Sequence, residues 1–183
     1  GTIASRAWSR AIADFYHPPL PDPVIENDSE KASHFYIDSE TWTVHLNTFG
    51  VPADLSPEDK LRFLTSICQH EIQHYLVCPY DGVSNGMMFA AARRHVDDAL
   101  AMFACNLYAD LLVDSALLNR FPHETQMRIE SSIIDSSRRM TEHSQIWKTV
   151  IATYHAAWKF IIPDEVRIAE NIVDAGSQIA HIS

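Results

Sequence analysis

The stretch "SPEDKLRFLTSICQHEIQHYLV", Ser56–Val77, carries signals for a long helix at both of its ends. Ser56 is a favoured N-cap residue, Pro57 suits the first helical position, and two acidic residues follow at the positive end of the helix dipole. Pro79 disfavours helical backbone at Cys78, so the helix is predicted to end near Val77.

Two apolar stripes run along this predicted helix. With about 100° between successive residues, His70 and His74 continue one stripe and Glu71 lies between the two. Because the polar strip is narrow, the helix is predicted to be buried on most of its circumference. One stripe comprises Leu61, Leu64, Cys68, Ile72 and Tyr75, the other Phe63, Ile67, His70, His74 and Val77, and the polar strip Arg62, Ser66, Gln69 and Gln73.

His70, Glu71 and His74 spell H-E-x-x-H, a ligand pattern for a metal ion. Histidines at i and i+4 lie one turn apart on one face, so both imidazoles can reach one ion. The glutamate projects to the side of that ion, where it can take a proton from a water that the ion activates. The alternative is a pair of core histidines bonded to backbone carbonyls or buried carboxylates, and the ten histidines of the chain make a chance match more common.

A second stretch, "DALAMFACNLYADLLVDSALL" from Asp98 to Leu118, is apolar on nearly every side and predicts a buried helix. Asn106, Asp110 and Asp114 are set into it at i, i+4 and i+8, on one line of the helix surface. Buried carboxylates are costly unless they are paired, hydrogen-bonded or bound to a metal. This line of polar residues therefore indicates a cationic partner.

Asp110 is the predicted third metal ligand, and Zn²⁺ is the predicted ion because it suits a site with three protein ligands and an open fourth position. Asp114 would accept the spare N–H of a ligand histidine. Asn106 would bond a neighbouring backbone group or a bound water. The choice of third ligand among Asp110, Asp114 and His95 stays open at this point.

Three alternatives compete with this hypothesis. The aspartates could form a structural ion pair with an arginine such as Arg93 or Arg94. Cys78 continues the line from the two histidines and could be a ligand. Glu71 and His74 also spell E-x-x-H, the pattern of di-iron bundles, but those bundles need a second such motif, and no other histidine follows a glutamate by three residues.

The remaining sequence predicts an α+β fold, in which a small, mainly antiparallel sheet precedes a mostly helical body. "HFYIDSETWTVHLN" holds two β-prone runs, Phe35–Ile37 and Trp42–Leu46, around a polar connection, which predicts a hairpin. The preceding segment 17–30 is rich in proline and predicts an irregular connection. Other helices are predicted over residues 4–16, 87–118 with a break near His95, 124–140, 144–162 and 165–175.

The length, charge and cysteine content of the chain limit the functions that it can have. A chain of 183 residues suits one domain, 1–183, to which a fused or partner domain could be added. A formal charge of −10 argues against a nucleic-acid partner. No apolar run reaches the roughly 20 residues of a membrane span, so no membrane association is expected. Three cysteines without a C-x-x-C pair suggest free thiols in a reducing compartment, and a cytoplasmic location is expected.

Between Phe35 and Leu118 the chain resembles the zincin metallopeptidases, which combine a small sheet, a helix bearing H-E-x-x-H and a third ligand on a later helix. "TWTVHLN" resembles the zincin edge strand that binds an extended peptide. The D-x-x-x-D of Asp110 and Asp114 is similar to the gluzincin E-x-x-x-D, with aspartate at the ligand position. The chain is also similar to uncharacterised metallopeptidase domains of prokaryotes. It departs from metzincins, because Tyr80 stands where their third histidine would be.

The resemblance implies a zinc-dependent metallopeptidase that acts on a peptide or protein substrate. Zn²⁺ would be held by His70, His74 and Asp110, and Glu71 would be the general base. The alternative is a non-catalytic, metal-stabilised zincin-like scaffold or regulatory domain. A hydrogen-bond donor for the oxyanion is also required, and four residues are candidates: His95, Tyr75, Tyr80 and Tyr108.

Overall fold

Seven helices and three short strands form the part of the chain that the computed structural model describes, residues 2–30, 35–37, 43–79, 81–140 and 142–181. In chain order the elements are α1 (Ile3–Asp14), β1 (Val24–Glu26), β2 (Phe35–Ile37), β3 (Val44–Asn47), α2 (Pro57–His74), α3 (Gly82–Ala92), α4 (Asp98–Arg120), α5 (Pro122–Arg139), α6 (Gln145–Trp158) and α7 (Glu170–Ala180).

The prediction of an α+β fold with a small, mainly antiparallel sheet is wrong. The structure is 64% helix and 5% strand. The strands have three or four residues each and lie in the order β1-β3-β2, with β1 parallel and β2 antiparallel to β3. The parallel strand comes from the proline-rich segment that was predicted to be irregular. Its pairing is a long-range contact, which local sequence patterns do not reveal.

The predicted edge strand is also wrong, because β3 is the central strand. Val24 of β1 lies opposite His45, and Phe35 of β2 lies opposite Leu46. Both flanks of β3 are therefore paired, which leaves no free edge there for an extended peptide. Trp42, at the start of the predicted run, lies outside the described residues.

Helix α2 begins as predicted and is more deeply buried than predicted. The Ser56 hydroxyl accepts a hydrogen bond from the N–H of Asp59 at 3.1 Å. The helix ends at His74, three residues before the expected end. The residues that follow form a turn closed by backbone hydrogen bonds. Residues of the predicted polar strip are buried as well, since Gln69 is 2% exposed and donates to Asp14 at 2.8 Å.

Two hydrophobic clusters meet along α4. The first contains apolar residues of α1, the sheet and α2 together with Val113 and Leu117 of α4. The second contains Leu107 and Leu111 of α4 with residues of α5 and α6 and the segment that follows α6. Helix α4 thus packs between two halves of the molecule and contacts α2.

The long helical pattern breaks near His95, as predicted. Helix α3 ends at Ala92, and α4 begins after Asp97, whose carboxylate accepts from the N–H of Leu100 at 2.9 Å. The prediction that α4 is buried all round is wrong, because Leu100 is 40% and Met102 54% exposed. Helix α3 has no buried residue within the described part of the chain.

Helix α4 alone among the described helices is long and apolar enough to cross a membrane, with a mean hydropathy of 1.4 over 18 residues. A helix in the core of a folded domain passes the same test, and α4 packs against α2, α3 and α5. Helix α4 thus passes a test of length and composition that no segment was expected to pass, and the absence of membrane association stays a prediction.

Gly176 of α7 lies directly against the backbone of α6. A Cβ added there would stand 2.7 Å from the carbonyl carbon of Ala152 and 2.8 Å from the nitrogen of Thr153. We expect Gly176→Ala to push α7 away from α6 and to lower the free energy of unfolding by about 1–3 kcal/mol, measured by urea titration.

Gly86 in α3 provides the matched control, because a Cβ added there meets no described atom within 4 Å apart from its chain neighbours and the backbone of its own helix. Gly86→Ala is expected to be neutral or to stabilise the protein by up to about 1 kcal/mol, since alanine has less conformational freedom to lose in a helix. Equal destabilisation by the two substitutions would contradict the close packing of α6 and α7.

Candidate metal centre

Three potential metal ligands converge between α2 and α4. The Nε2 atoms of His70 and His74 are 3.1 Å apart. Oδ1 of Asp110 lies 3.5 Å from Nε2 of His70 and 3.3 Å from Nε2 of His74. Within the described part of the chain, this is the one group of three or more His, Cys, Asp or Glu side chains close enough to share an ion.

The triangle of ligand atoms fits a tetrahedral ion. Bonds of about 2.0–2.1 Å at the tetrahedral angle place two ligand atoms about 3.3 Å apart. The three measured separations, 3.1, 3.3 and 3.5 Å, bracket that value. The side chain of Asp110 is 42% exposed and that of His70 12%, so the site is open to solvent on the side of α4.

The other ring nitrogen of each histidine is held by an acceptor. Nδ1 of His70 donates to Oδ1 of Asp114 at 2.8 Å, and Nδ1 of His74 donates to the carbonyl oxygen of Cys78 at 2.5 Å. Because neither acceptor carries a proton, both Nδ1 atoms must be protonated. In the neutral imidazoles, the Nε2 lone pairs are then free for an ion.

Asp114 is a buried carboxylate with three donors from three helices. It is 1% exposed and accepts from His70, from Nη2 of Arg128 on α5 and from the hydroxyl of Tyr154 on α6. Burial raises the pKa of Asp114, but the charges of Arg128 and His70 outweigh burial and hold this pKa well below its ordinary value. Asp114 therefore stays ionised inside the protein.

The charge of Asp114 favours a cation at His70. Burial lowers the pKa of His70, but the neighbouring carboxylate of Asp114 outweighs it and raises this pKa to about 9. The hydrogen bonds from both histidines likewise overcome burial and lower the pKa of Asp110. The electrostatic environment thus stabilises positive charge where the three ligand atoms meet, whether a proton or a metal ion carries it.

Glu71 lies beside the three ligands without a partner of its own. It makes no hydrogen bond or ion pair within the described part of the chain, yet its charge interacts with those of His70, His74 and Asp110. Burial raises the pKa of Glu71, which brings a carboxylate closer to the proton affinity that a general base needs near neutral pH.

The structure places the other predicted site residues differently. Asn106 is exposed and makes no hydrogen bond among the described residues, so its predicted role is not observed. His95 is exposed and does not belong to the group of three. The buried thiol of Cys78 contacts Met88 at 3.9 Å, and Cys78 reaches His74 through its carbonyl oxygen. Tyr80 lies outside the described residues.

Two residues of the site, Arg128 and Tyr154, were not predicted from the sequence. The alternative of a structural ion pair named Arg93 or Arg94 as examples, and Arg93 instead pairs with Asp98 at 2.6 Å. The one available signal was a charged residue in the buried face of α5, since Arg128 lies next to the buried Ile129. Tyr154 gave no signal, because an aromatic residue in the buried face of α6 is ordinary.

Comparisons with known proteins give no assignment: no family model, no curated protein and no solved structure matches the chain.

Proposed function

We propose that the chain is a zinc-dependent hydrolase of the zincin type, with peptide bonds as its substrate class. The observation that carries the proposal is the convergence of two Nε2 atoms and a carboxylate oxygen at 3.1–3.5 Å, with both Nδ1 atoms already bonded to acceptors. Without an ion, a proton on His70 would hold these atoms together, and we propose that a metal ion takes the place of that proton.

Each residue of the site would have a separate role in hydrolysis. His70, His74 and Asp110 would hold Zn²⁺, which supplies a Lewis acid and lowers the pKa of a water toward about 7. Glu71, with its raised pKa and no competing partner among the described residues, would take a proton from the attacking water and pass it to the leaving group. Asp114 would hold His70 in the required tautomer.

Peptide bonds are proposed because of the resemblance of the motif and the downstream acidic residues to zincins. The central position of β3 means that a peptide would not bind there by strand addition. Tyr75, Leu76 and Val77 directly follow the second histidine and are 39–51% exposed, so they offer an apolar surface to substrate side chains. This surface suits unfolded or extended peptides with apolar residues.

Metal content provides the first test. Protein never exposed to a chelator is expected to contain about one zinc per chain, and His74→Ala is expected to lose it, because two ligands cannot replace three. Elemental analysis of the purified protein measures both. The matched control is His123→Ala, which removes an exposed histidine outside the site and should keep the metal. Wild-type protein without stoichiometric metal would contradict the proposal.

Hydrolysis provides the second test. The zinc-loaded protein is incubated with an unfolded protein and with a mixed peptide library, and cleavage is followed by mass spectrometry. Cleavage should stop on chelation and return on addition of zinc. Full metal content without cleavage would contradict the hydrolase and favour a metal-stabilised scaffold.

A further inference from the structure

We propose that Arg128 and Tyr154 are positioning residues, through which α5 and α6 orient His70 toward the metal. The inference rests on the proposed function and adds to it the part of the molecule that determines metal affinity. Neither residue contacts a metal-facing atom of the three ligands. Tyr154 acts through Asp114, and Arg128 binds Asp114 as well, with its Nη2 also 3.4 Å from Nδ1 of His70.

The hydrogen bonds to Asp114 determine the orientation of its carboxylate. Oδ1 accepts from Nδ1 of His70 at 2.8 Å and from Nη2 of Arg128, while Oδ2 accepts from the hydroxyl of Tyr154 at 2.9 Å. Donors on both oxygens oppose rotation of the carboxylate, because rotation would leave a buried charge without a donor. Nε of Arg128 also donates to Ser66 of α2 at 3.2 Å, so the guanidinium is held at two points.

Side-chain packing leaves space on one side of this group. A cavity of about 190 Å³ opens beside Asp114, Arg128 and Tyr154, and its lining includes apolar residues such as Ile133 and Val150. Side chains next to an open cavity retain room to move on that side. The hydrogen bonds to Asp114 therefore determine the position of its carboxylate. Through that carboxylate they determine the orientation of the His70 ring.

A consequence is that metal binding and the docking of α5 and α6 stabilise each other. The metal requires His70 in one orientation, that orientation requires Asp114, and Asp114 requires donors from both helices. A substitution on α6 that removes a single donor should therefore weaken metal binding from a residue that is not a ligand.

Tyr154→Phe tests the inference, because it removes one hydroxyl and keeps the ring. Its zinc dissociation constant, measured by competition with a chromophoric chelator, is expected to rise about 10-fold, as for other partners of ligand histidines. The visible spectrum of the cobalt-loaded variant should shift as well, since it reports ligand geometry. The matched control is Thr153→Val, which removes a buried hydroxyl that bonds only to its own helix, at the carbonyl of Thr149.

The control should lower stability without changing zinc affinity or the cobalt spectrum. Equal zinc affinity of wild type and Tyr154→Phe would overturn the inference and leave the proposed function intact.

If even the wild type binds no zinc, the proposed function fails, and the positioning role is tested on the chelated protein by NMR. There the Nδ1 proton of His70 should shift upfield in Tyr154→Phe and stay unchanged in Thr153→Val, and an unchanged resonance in both would overturn it.

Discussion

Glu71→Gln is expected to keep its zinc and to lose hydrolysis by about 10²–10⁴-fold, the usual contribution of a general base. The amide has nearly the same shape as the carboxylate but cannot accept a proton near neutral pH. Because Glu71 makes no hydrogen bond or ion pair among the described residues, the substitution removes none of the hydrogen bonds around His70 and Asp114. Elemental analysis measures the zinc, and the peptide assay measures kcat/KM.

The matched control is Glu58→Gln in the first turn of the same helix. Glu58 is exposed and pairs with Arg62 at 2.7 Å, so its loss should change neither zinc content nor kcat/KM. Full hydrolysis by zinc-loaded Glu71→Gln would exclude Glu71 as the base. Loss of zinc from that variant would instead indicate that Glu71 is itself a ligand.

Asp114→Ala is expected to lower the free energy of unfolding by about 3–5 kcal/mol, because it leaves the charge of Arg128 buried and unpaired. The guanidinium side chain is 12% exposed and bonds to Asp114 and Ser66. Removal of the carboxylate also deprives Tyr154 and His70 of their acceptor. Urea unfolding in the presence of a chelator isolates this effect from the loss of metal binding.

An exposed ion pair serves as the comparison for Asp114. Asp98 and Arg93 lie 2.6 Å apart, but their side chains are 68% and 53% exposed. Asp98→Ala is therefore expected to cost no more than about 1 kcal/mol in the same titration. Similar losses for Asp98→Ala and Asp114→Ala would show that the network around Asp114 is not a buried structural element.

The α2 helix could be predicted because its signals are local. A capping serine, a proline at the first position and the i, i+4 spacing of His70 and His74 act within a few residues of one another. The observed cap at Ser56 and the shared face of the two histidines follow from them. The break before α4 has the same origin, in the capping residue Asp97.

The sheet could not be predicted in the same way. Its strands have only three or four residues, too few for alternation to indicate a register. The parallel pairing of β1 with β3 joins residues about twenty positions apart, and only the packing of the helices around them decides between an edge and a central position. For the same reason the resemblance to a zincin edge strand was misleading at β3.

By itself, the sequence determined where α2 begins and placed two histidines and a glutamate on it, because turn spacing and capping are properties of the local chain. Only the tertiary structure decided which aspartate meets the histidines. Asp110 and Asp114 are one turn apart on α4 and equivalent in pattern. The approach of α2 places Asp110 at the Nε2 atoms and Asp114 at Nδ1 of His70. The tertiary structure also brings Arg128 and Tyr154 to Asp114, because a buried carboxylate needs hydrogen-bond donors. Which helix supplies these donors depends on how the helices pack.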